Sequence, residues 1–523
     1  MSRCTAMHNF SAGYRQAIAL SLVFFISALC FIGQHEMWRD ELQAWLLARD
    51  SATVIELFQN LKYEYHQSLW YLLLFPLTRM FDMPEAMQYL NVSIATAAIY
   101  IMAKYSPFSL MQKTFLAFSY FLFYEYAFIA RNYALTVFFI FLLCALFPKR
   151  ARYPIAFASA LFFLCHTSLM GLIFAIGIGL TVLLETIILR AKEKLTWAFH
   201  WQIVIAALIA MTGIGTAIFQ LAPPPDLFVW PWKFYPSLAG LKTIVTVIIG
   251  GYFPLPSFEL HFWRTLFGLS NELIGIISIS SVLLIVLLFV RYLASRPASL
   301  FLYIAISGAL VLFFYSKHVG ELRHHGFLFI ALIAALWIYP DCAPFEKSFL
   351  GKYLKPISEK LAARTLLVLL IIQLMSSSIA VMMDYRYVFS SAKQTAQFLR
   401  SNNLDSAEMI GDVSYATTSV AAYLINKPIF YPDAQRYGTF IKWDNQRTKS
   451  VNLSTLLRDS QRLATQGRKV VLILNQPIDE YGPGIDTIDS KIYFERIFES
   501  DRTILWDERF YVYLFIPTII PNK

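Results

Sequence analysis

Apolar runs of bilayer length recur through the first three quarters of this chain, near 14-33, 86-104, 113-128, 131-147, 152-166, 167-189, 200-221, 271-291, 298-316, 325-340 and 363-383. A hydrocarbon core about 30 Å thick takes roughly 20 apolar residues of helix to cross. Within it, each segment must satisfy its own backbone polar groups. The pattern therefore predicts a polytopic α-helical membrane protein with about eleven transmembrane helices. At 57% hydrophobic and 15% charged residues, the composition excludes a water-soluble globule. The first run, "AIALSLVFFISALCFIG", is longer than a usual signal core and no small-residue cleavage site follows it, so it reads as an uncleaved helix.

The net charge of +10 could suggest nucleic acid, but the stretch after Asp384 is nearly balanced and the surplus sits in the membrane part. Loop lysines and arginines that set topology explain it, and no nucleic-acid partner is expected. One segment decides the sidedness. "SLWYLLLFPLTRMF", Ser68 to Phe81, is short for a span, holds Pro76 and carries Arg79. If it does not cross and the N-terminus is cytoplasmic, the clusters around Arg15, Lys104 and Lys113, Lys149 to Arg152, Arg190 to Lys194, Arg291 and Arg296, and Lys347 to Lys360 all lie inside. If it crosses, "PKRAR" and "LRAKEK" face outward. It is read as an interfacial or re-entrant helix on the outer side.

A multi-pass protein of the inner (plasma) membrane follows, with a membrane domain over 1-383 and an extracytoplasmic domain over 384-523. The outer face carries a first loop (34-85), a second large loop (222-270), the short "SKHVGELRHH" and the tail. In the tail, "SSAKQTAQFLRSNN" and "STLLRDSQRLATQ" read as helices and "AEMIGD", "RKVVLILN" and "RFYVYLFIP" as strands, a small α/β domain. No phosphate-loop fingerprint occurs in it. Cys4, Cys30, Cys144, Cys165 and Cys342 form no CxxC or Cys/His spacing, so neither disulfides nor a thiolate metal site is expected.

"HEMWRDELQAW" opens the first outer loop. Trp38, Leu42, Trp45, Leu46 and Arg49 recur on one helical face, which reads as a helix lying on the membrane with its tryptophans at headgroup depth. Asp40 and Glu41 are adjacent, about 100° apart on that helix, so at most one of them can be the chemical group. Acids in a first turn also simply complement the helix dipole. Further on, "YEYHQSLWYLLL" places His66 at the head of the short apolar helix.

The order of a first helix, an acidic pair, an H-x-x-L-x-x-L-L-L helix that stays outside and a second span resembles the GT-C membrane glycosyltransferases, in particular protein O-mannosyltransferases and lipid A aminoarabinose transferases. "RDELQAW" is similar to their acidic loop motif, "HQSLWYLLL" to their His-Pro-Pro-Leu-Tyr-Tyr-Leu stretch with Gln67 and Ser68 where prolines are usual, and "YEYAFIARNYALTVFF" to a segment in which an arginine precedes an aromatic helix. The likeness covers about the first 200 residues and the helix count. Where family members often have an arginine early in the second span, this chain has "MQYLNVS".

The resemblance implies transfer of a sugar from a polyprenyl phosphate to an acceptor hydroxyl of the envelope (lipid, glycan or protein). Such a reaction needs one positioned carboxylate as base and positive charge for the phosphate that leaves. Asp40 matches the family's position for the base, with Glu41 the substitute. Cation candidates are Arg39, Arg131, Lys317 and Arg323, which with His66 are the candidates to bind the donor phosphate, and Glu125 is a possible partner of Arg131. His318, His324, His325 and His166 lie on the same side. "SKHVGELRHHGFLF" suits a phosphate-binding loop, an interface anchor or a metal site. No cofactor is required by this reading, although a divalent ion could assist. Competing readings are a lipid-linked glycan transporter or flippase, which would carry deeper charges and internal repeats, and an oligosaccharide ligase or polymerase.

Overall fold

The structure is a computed structural model that describes residues 2–191, 201–227, 232–234, 237–264, 272–344, 357–425, 427–447, 451–464, 468–481 and 493–516. The membrane part opens with α1 (Ser2–Ile32). The first outer loop folds into three short helices, α2 (Arg39–Asp50), α3 (Val54–Leu61) and α4 (Leu69–Met80), before α5 (Glu85–Tyr105). After it come α6 (Leu110–Ala117), a nine-residue π-helix Tyr120–Phe128, α7 (Tyr133–Leu146), α8 (Pro154–Cys165) and α9 (Leu169–Ala191). The remaining membrane helices are α10 (Trp201–Gln220), α11 (Leu238–Tyr252), α12 (Glu272–Leu293), α13 (Pro297–Ser316), α14 (Leu322–Ile338) and α15 (Glu359–Arg386).

The expected polytopic helical fold with a small C-terminal α/β unit is present, and its spans are organised more finely than their hydropathy implies. Among the described residues, eight helices are long and apolar enough to cross a bilayer. Three of the eleven expected runs are built from shorter pieces. The 113-128 run divides at Ser119, whose backbone is extended, into α6 and the π-helix. The next two form α7 and α8, of 14 and 12 residues, each below the roughly 20 that a perpendicular crossing needs. The second large loop, 222-270, contains α11, whose 15 residues pack among the membrane helices against α13 and α14. Its Gly251 lies so close to α14 that a Cβ there would come within 2.8 Å of the His325 carbonyl oxygen.

The π-helix lies in the interior, with all nine of its residues buried. A π turn leaves carbonyls that an α-helix would satisfy. Asn91 of α5 supplies the missing donor, its Nδ2 lying 2.9, 3.0 and 3.3 Å from the carbonyl oxygens of Tyr126, Ala127 and Ile129. This amide belongs to the stretch "MQYLNVS" of the sequence. Gly326 lets α14 close on the same element, because a Cβ there would fall 2.3 Å from the Phe121 ring. Gly326→Val is expected to cost about 1–3 kcal/mol by overpacking, read as a lower thermal midpoint of the detergent-solubilised protein. An unchanged midpoint would mean that α14 does not seat on Phe121.

The C-terminal domain begins with α16 (Ala392–Ser401) and continues through β1 (Glu408–Gly411), α17 (Ser414–Tyr423), β2 (Ile429–Tyr431), β3 (Arg436–Gly438), α18 (Leu453–Ala464), β4 (Val470–Leu474), β5 (Phe494–Glu499) and β6 (Tyr511–Phe515). Its sheet has the order β3-β2-β1-β4-β6-β5, with β2, β1 and β4 parallel and the other neighbours antiparallel. The five tail segments read from sequence each contain the expected element. One face of the sheet is covered by α18, through Leu453, Leu456 and Leu463.

The other face shares a hydrophobic core with the first outer loop. Leu42, Trp45 and Leu46 of α2 and Trp70, Tyr71 and Leu74 of α4 join Ala416, Val420, Ile429, Val471 and Val512 of the tail. This corrects the expectation that the tryptophan face of α2 rests on the membrane: Trp45 is fully buried and Trp38 is 2% exposed, beneath protein. The helix α4 packs beside α2, where Arg79 donates to the carbonyls of Ala48 and Ser51. The second loop closes on the tail through Asn445 N–H to the Asp226 carbonyl, 2.8 Å, and through His261 Nδ1 with the Ile504 carbonyl, 2.7 Å. At the opposite end of the bundle the basic loops meet. Arg150 approaches Glu185 at 3.9 Å, Ala343 N–H donates to Glu185 at 2.7 Å and Arg296 donates to the Pro340 carbonyl at 3.2 Å.

Candidate active site

Asp40 and Glu41 diverge as the helical geometry demands. Glu41 turns inward and is fully buried. One of its oxygens accepts the Ala130 N–H at 2.5 Å, and the other accepts the Trp38 N–H at 3.2 Å and lies 3.1 Å from His35 Nε2. His35 Nδ1 in turn lies 2.8 Å from Asp384 at the end of α15. Burial alone would lower the His35 pKa, but Asp384 and Glu41 outweigh it and raise it well above the ordinary value, so the imidazolium bridges two carboxylates. Glu41, the substitute base of the sequence reading, is therefore occupied in fixing the start of α2.

Asp40 turns outward and keeps 31% of its side chain exposed. Its Oδ2 stands 3.2 Å from Arg323 Nη2 and 3.5 Å from Arg131 Nη1, and its Oδ1 is 4.0 Å from Arg39 Nε. Arg131 also donates to the Asp40 carbonyl. Burial would raise the Asp40 pKa, but Arg131, Arg323, Arg39 and His66 together hold it below the ordinary aspartate range. The carboxylate is ionised at neutral pH.

Two guanidinium groups, each about nine-tenths buried, face this one carboxylate. Arg323 is held between aromatic rings, its guanidinium carbon 5.1 Å from the Trp38 centroid and 5.3 Å from that of Trp263. Its Nε is buried with no hydrogen-bond partner. Trp263 comes from the second outer loop and donates to Glu125 Oε1 at 2.8 Å; Tyr120 donates to the same oxygen at 3.0 Å. Glu125 thus steadies the aromatic cage, a correction to its expected pairing with Arg131.

His66, a candidate for the donor phosphate, lies against Arg131. Its Nε2 lies 3.2 Å from Arg131 Nη2, a donor, so this nitrogen accepts. Burial first, and then Arg131, pushes its pKa down to about 3, so it is neutral and positions Arg131. His324 is similarly engaged: Glu321 N–H donates to its Nδ1 at 2.9 Å, and its Nε2 lies 2.9 Å from the Tyr133 hydroxyl. Gly320, with φ +74°, supplies the left-handed turn that admits this loop. His325 diverges, its Nε2 on the Val319 carbonyl at 2.9 Å. The His318 ring stands 5.9 Å from that of His324.

Lys317 lies over Trp232, 5.0 Å from its centroid, and His166 bonds to the Phe162 carbonyl and Thr216, so neither is drawn to Asp40 by a contact of the kind that Arg131 and Arg323 make. Among the described residues no group of three or more His, Cys, Asp or Glu is placed to hold a metal ion.

Arg39, a phosphate candidate of the sequence, instead turns its Nη1 to the C-terminal domain, 2.7 Å from Asp507 and 3.5 Å from Glu508. Several other participants escaped sequence reasoning. Glu64, raised to about 7 by burial, receives the Gln43 amide at 2.7 Å close to Arg131. For Trp263, Asp507 and Glu508 the only available signal was composition, an indole in an aromatic loop and an acidic pair in "WDERF".

No protein-family pattern matches the chain, and no curated protein matches it. Among solved structures, it is similar to ArnT from Cupriavidus metallidurans, solved bound to undecaprenyl phosphate, at 11% identity over 97% of this chain and 98% of that one, with a TM-score of 0.48.

Proposed function

We propose that the chain is a GT-C-type glycosyltransferase of the inner membrane, moving a sugar from a polyprenyl phosphate to a hydroxyl of an envelope acceptor at the outer face, with inversion. The observation that carries this reading is one part-exposed, ionised carboxylate facing two buried guanidinium groups. The motif order in the first 200 residues supports the same reaction.

The acceptor O–H gives its proton to Asp40 as its oxygen forms the bond to the anomeric carbon. The bond from that carbon to the phosphate oxygen breaks, and polyprenyl phosphate departs with the electron pair. Arg131 and Arg323 serve first as counter-charges to Asp40 and then as donors to the phosphate. Their move to the phosphate also removes what depresses the Asp40 proton affinity, so the base gains strength when the donor is in place. Guanidinium charge meets the phosphate without a required cofactor. The N-terminus is cytoplasmic in this reading and the C-terminal domain extracytoplasmic.

Purified protein incubated with radiolabelled undecaprenyl phosphate glucose, galactose, mannose or arabinose and a membrane extract should transfer label from at least one of them. Undecaprenyl phosphate alone should raise the thermal midpoint. Absence of both effects would overturn the reading.

A further inference from the structure

The geometry points to Glu508, with Asp507, as a positioning residue: through it the C-terminal domain holds Arg39 away from Asp40 and sets the first turn of the helix that carries the base. This rests on the reading of Asp40 as that base.

Glu508 is fully buried, and three donors converge on it. Its Oε1 accepts the Arg39 backbone N–H at 3.0 Å, one of the N–H groups that a helix start leaves free, and lies 3.5 Å from Arg39 Nη1. Its Oε2 accepts the Ser390 hydroxyl at 2.6 Å. Asp507 takes the Arg39 guanidinium at 2.7 Å, against 4.0 Å from Arg39 to Asp40. The guanidinium is further held over Tyr415 of α17 and Trp38, at 5.1 and 5.3 Å.

Asp40 therefore meets a divided set of charges. Arg131, Arg323 and His66 face it from three other elements, Glu64 and Tyr71 lie within electrostatic reach, and Arg39 is its own neighbour. Arg131 and Arg323 can leave Asp40 for a phosphate. A guanidinium one residue away on the same helix has no such exchange to make, and once released from the tail it would stay on the carboxylate. A base so paired would keep its charge and lose proton affinity.

The test uses the full-length protein and whichever undecaprenyl phosphate sugar of the panel the wild type turns over. Glu508→Gln keeps the shape and a hydrogen-bonding oxygen but removes the charge. We expect kcat to fall about tenfold with the donor KM within about twofold. Because Asp40 acts as the carboxylate and activity is lost as pH falls through its pKa, the acidic limb of the profile should move to lower pH. Removing the released cation as well, in Arg39→Gln/Glu508→Gln, should restore most of the rate and return the limb. A merely structural role predicts the double variant to be no better than the single one, and that result overturns the inference, as does a wild-type Glu508→Gln. If Glu508→Gln fails to accumulate in membranes, the charge-balanced double variant decides alone: near wild-type turnover supports the inference and a crippled enzyme overturns it. Asp40→Asn separates the two levels. An inactive Asp40→Asn beside an indifferent Glu508→Gln removes only the positioning role, whereas an active Asp40→Asn removes both.

Discussion

Asp40→Asn should slow sugar transfer by about a thousandfold, the scale of a positioned general base, while the protein still inserts and folds. Asparagine keeps the size of the side chain and an oxygen for Arg323, so the site need not collapse. What is lost is a site for the acceptor proton. The same change leaves Arg131 and Arg323 without their counter-charge, 3.5 and 3.2 Å from the substituted position. Undecaprenyl phosphate should therefore bind the variant at least as tightly as it binds the wild type, measured by the shift it causes in thermal midpoint. Weak binding together with lost transfer would indicate a disturbed site instead. Full turnover would remove Asp40 from the chemistry.

Arg323→Gln should act on the other half of the reaction. Loss of one preorganised donor to a developing anion costs on the order of a hundredfold or more in kcat, and here the donor affinity should fall as well, because the cation also meets the ground-state phosphate. Lysine should rescue poorly. A flexible ammonium lacks the planar fork and would not lie between Trp38 and Trp263 as the guanidinium does, 5.1 and 5.3 Å from the two rings. A measured kcat/KM for Arg323→Gln equal to wild type would mean that the phosphate binds elsewhere.

The membrane class, the tail elements and the divergence of Asp40 from Glu41 follow from local periodicity and charge, and these were legible before any coordinates. The pairing of Asp40 with Arg131 and Arg323 is a contact between residues 91 and 283 positions apart. Each of the three was singled out by its chemistry, but no spacing rule could say that they meet. The errors share a cause. An amphipathic stripe such as Trp38, Leu42, Trp45 and Leu46 reports that one face of a helix is shielded from water, and a lipid surface and a folded domain satisfy that demand alike. Charges in proximity are similarly ambiguous. Glu125 lay six residues from Arg131 in the chain, yet a π-helix aimed it at Trp263 and Tyr120. His66 was a phosphate candidate by its position, whereas burial and the arginine it faces favour the neutral ring.

The tail does more than rest against the membrane helices, since α2 is enclosed by it and Arg39 is gripped by the turn that precedes β6. Glu508 of that turn stands 469 positions beyond Arg39 in the chain. The helix bearing Asp40 therefore gains its final cover only once the C-terminal domain has folded against it, and a chain cut before β6 would leave the first turn of α2 without its acceptor.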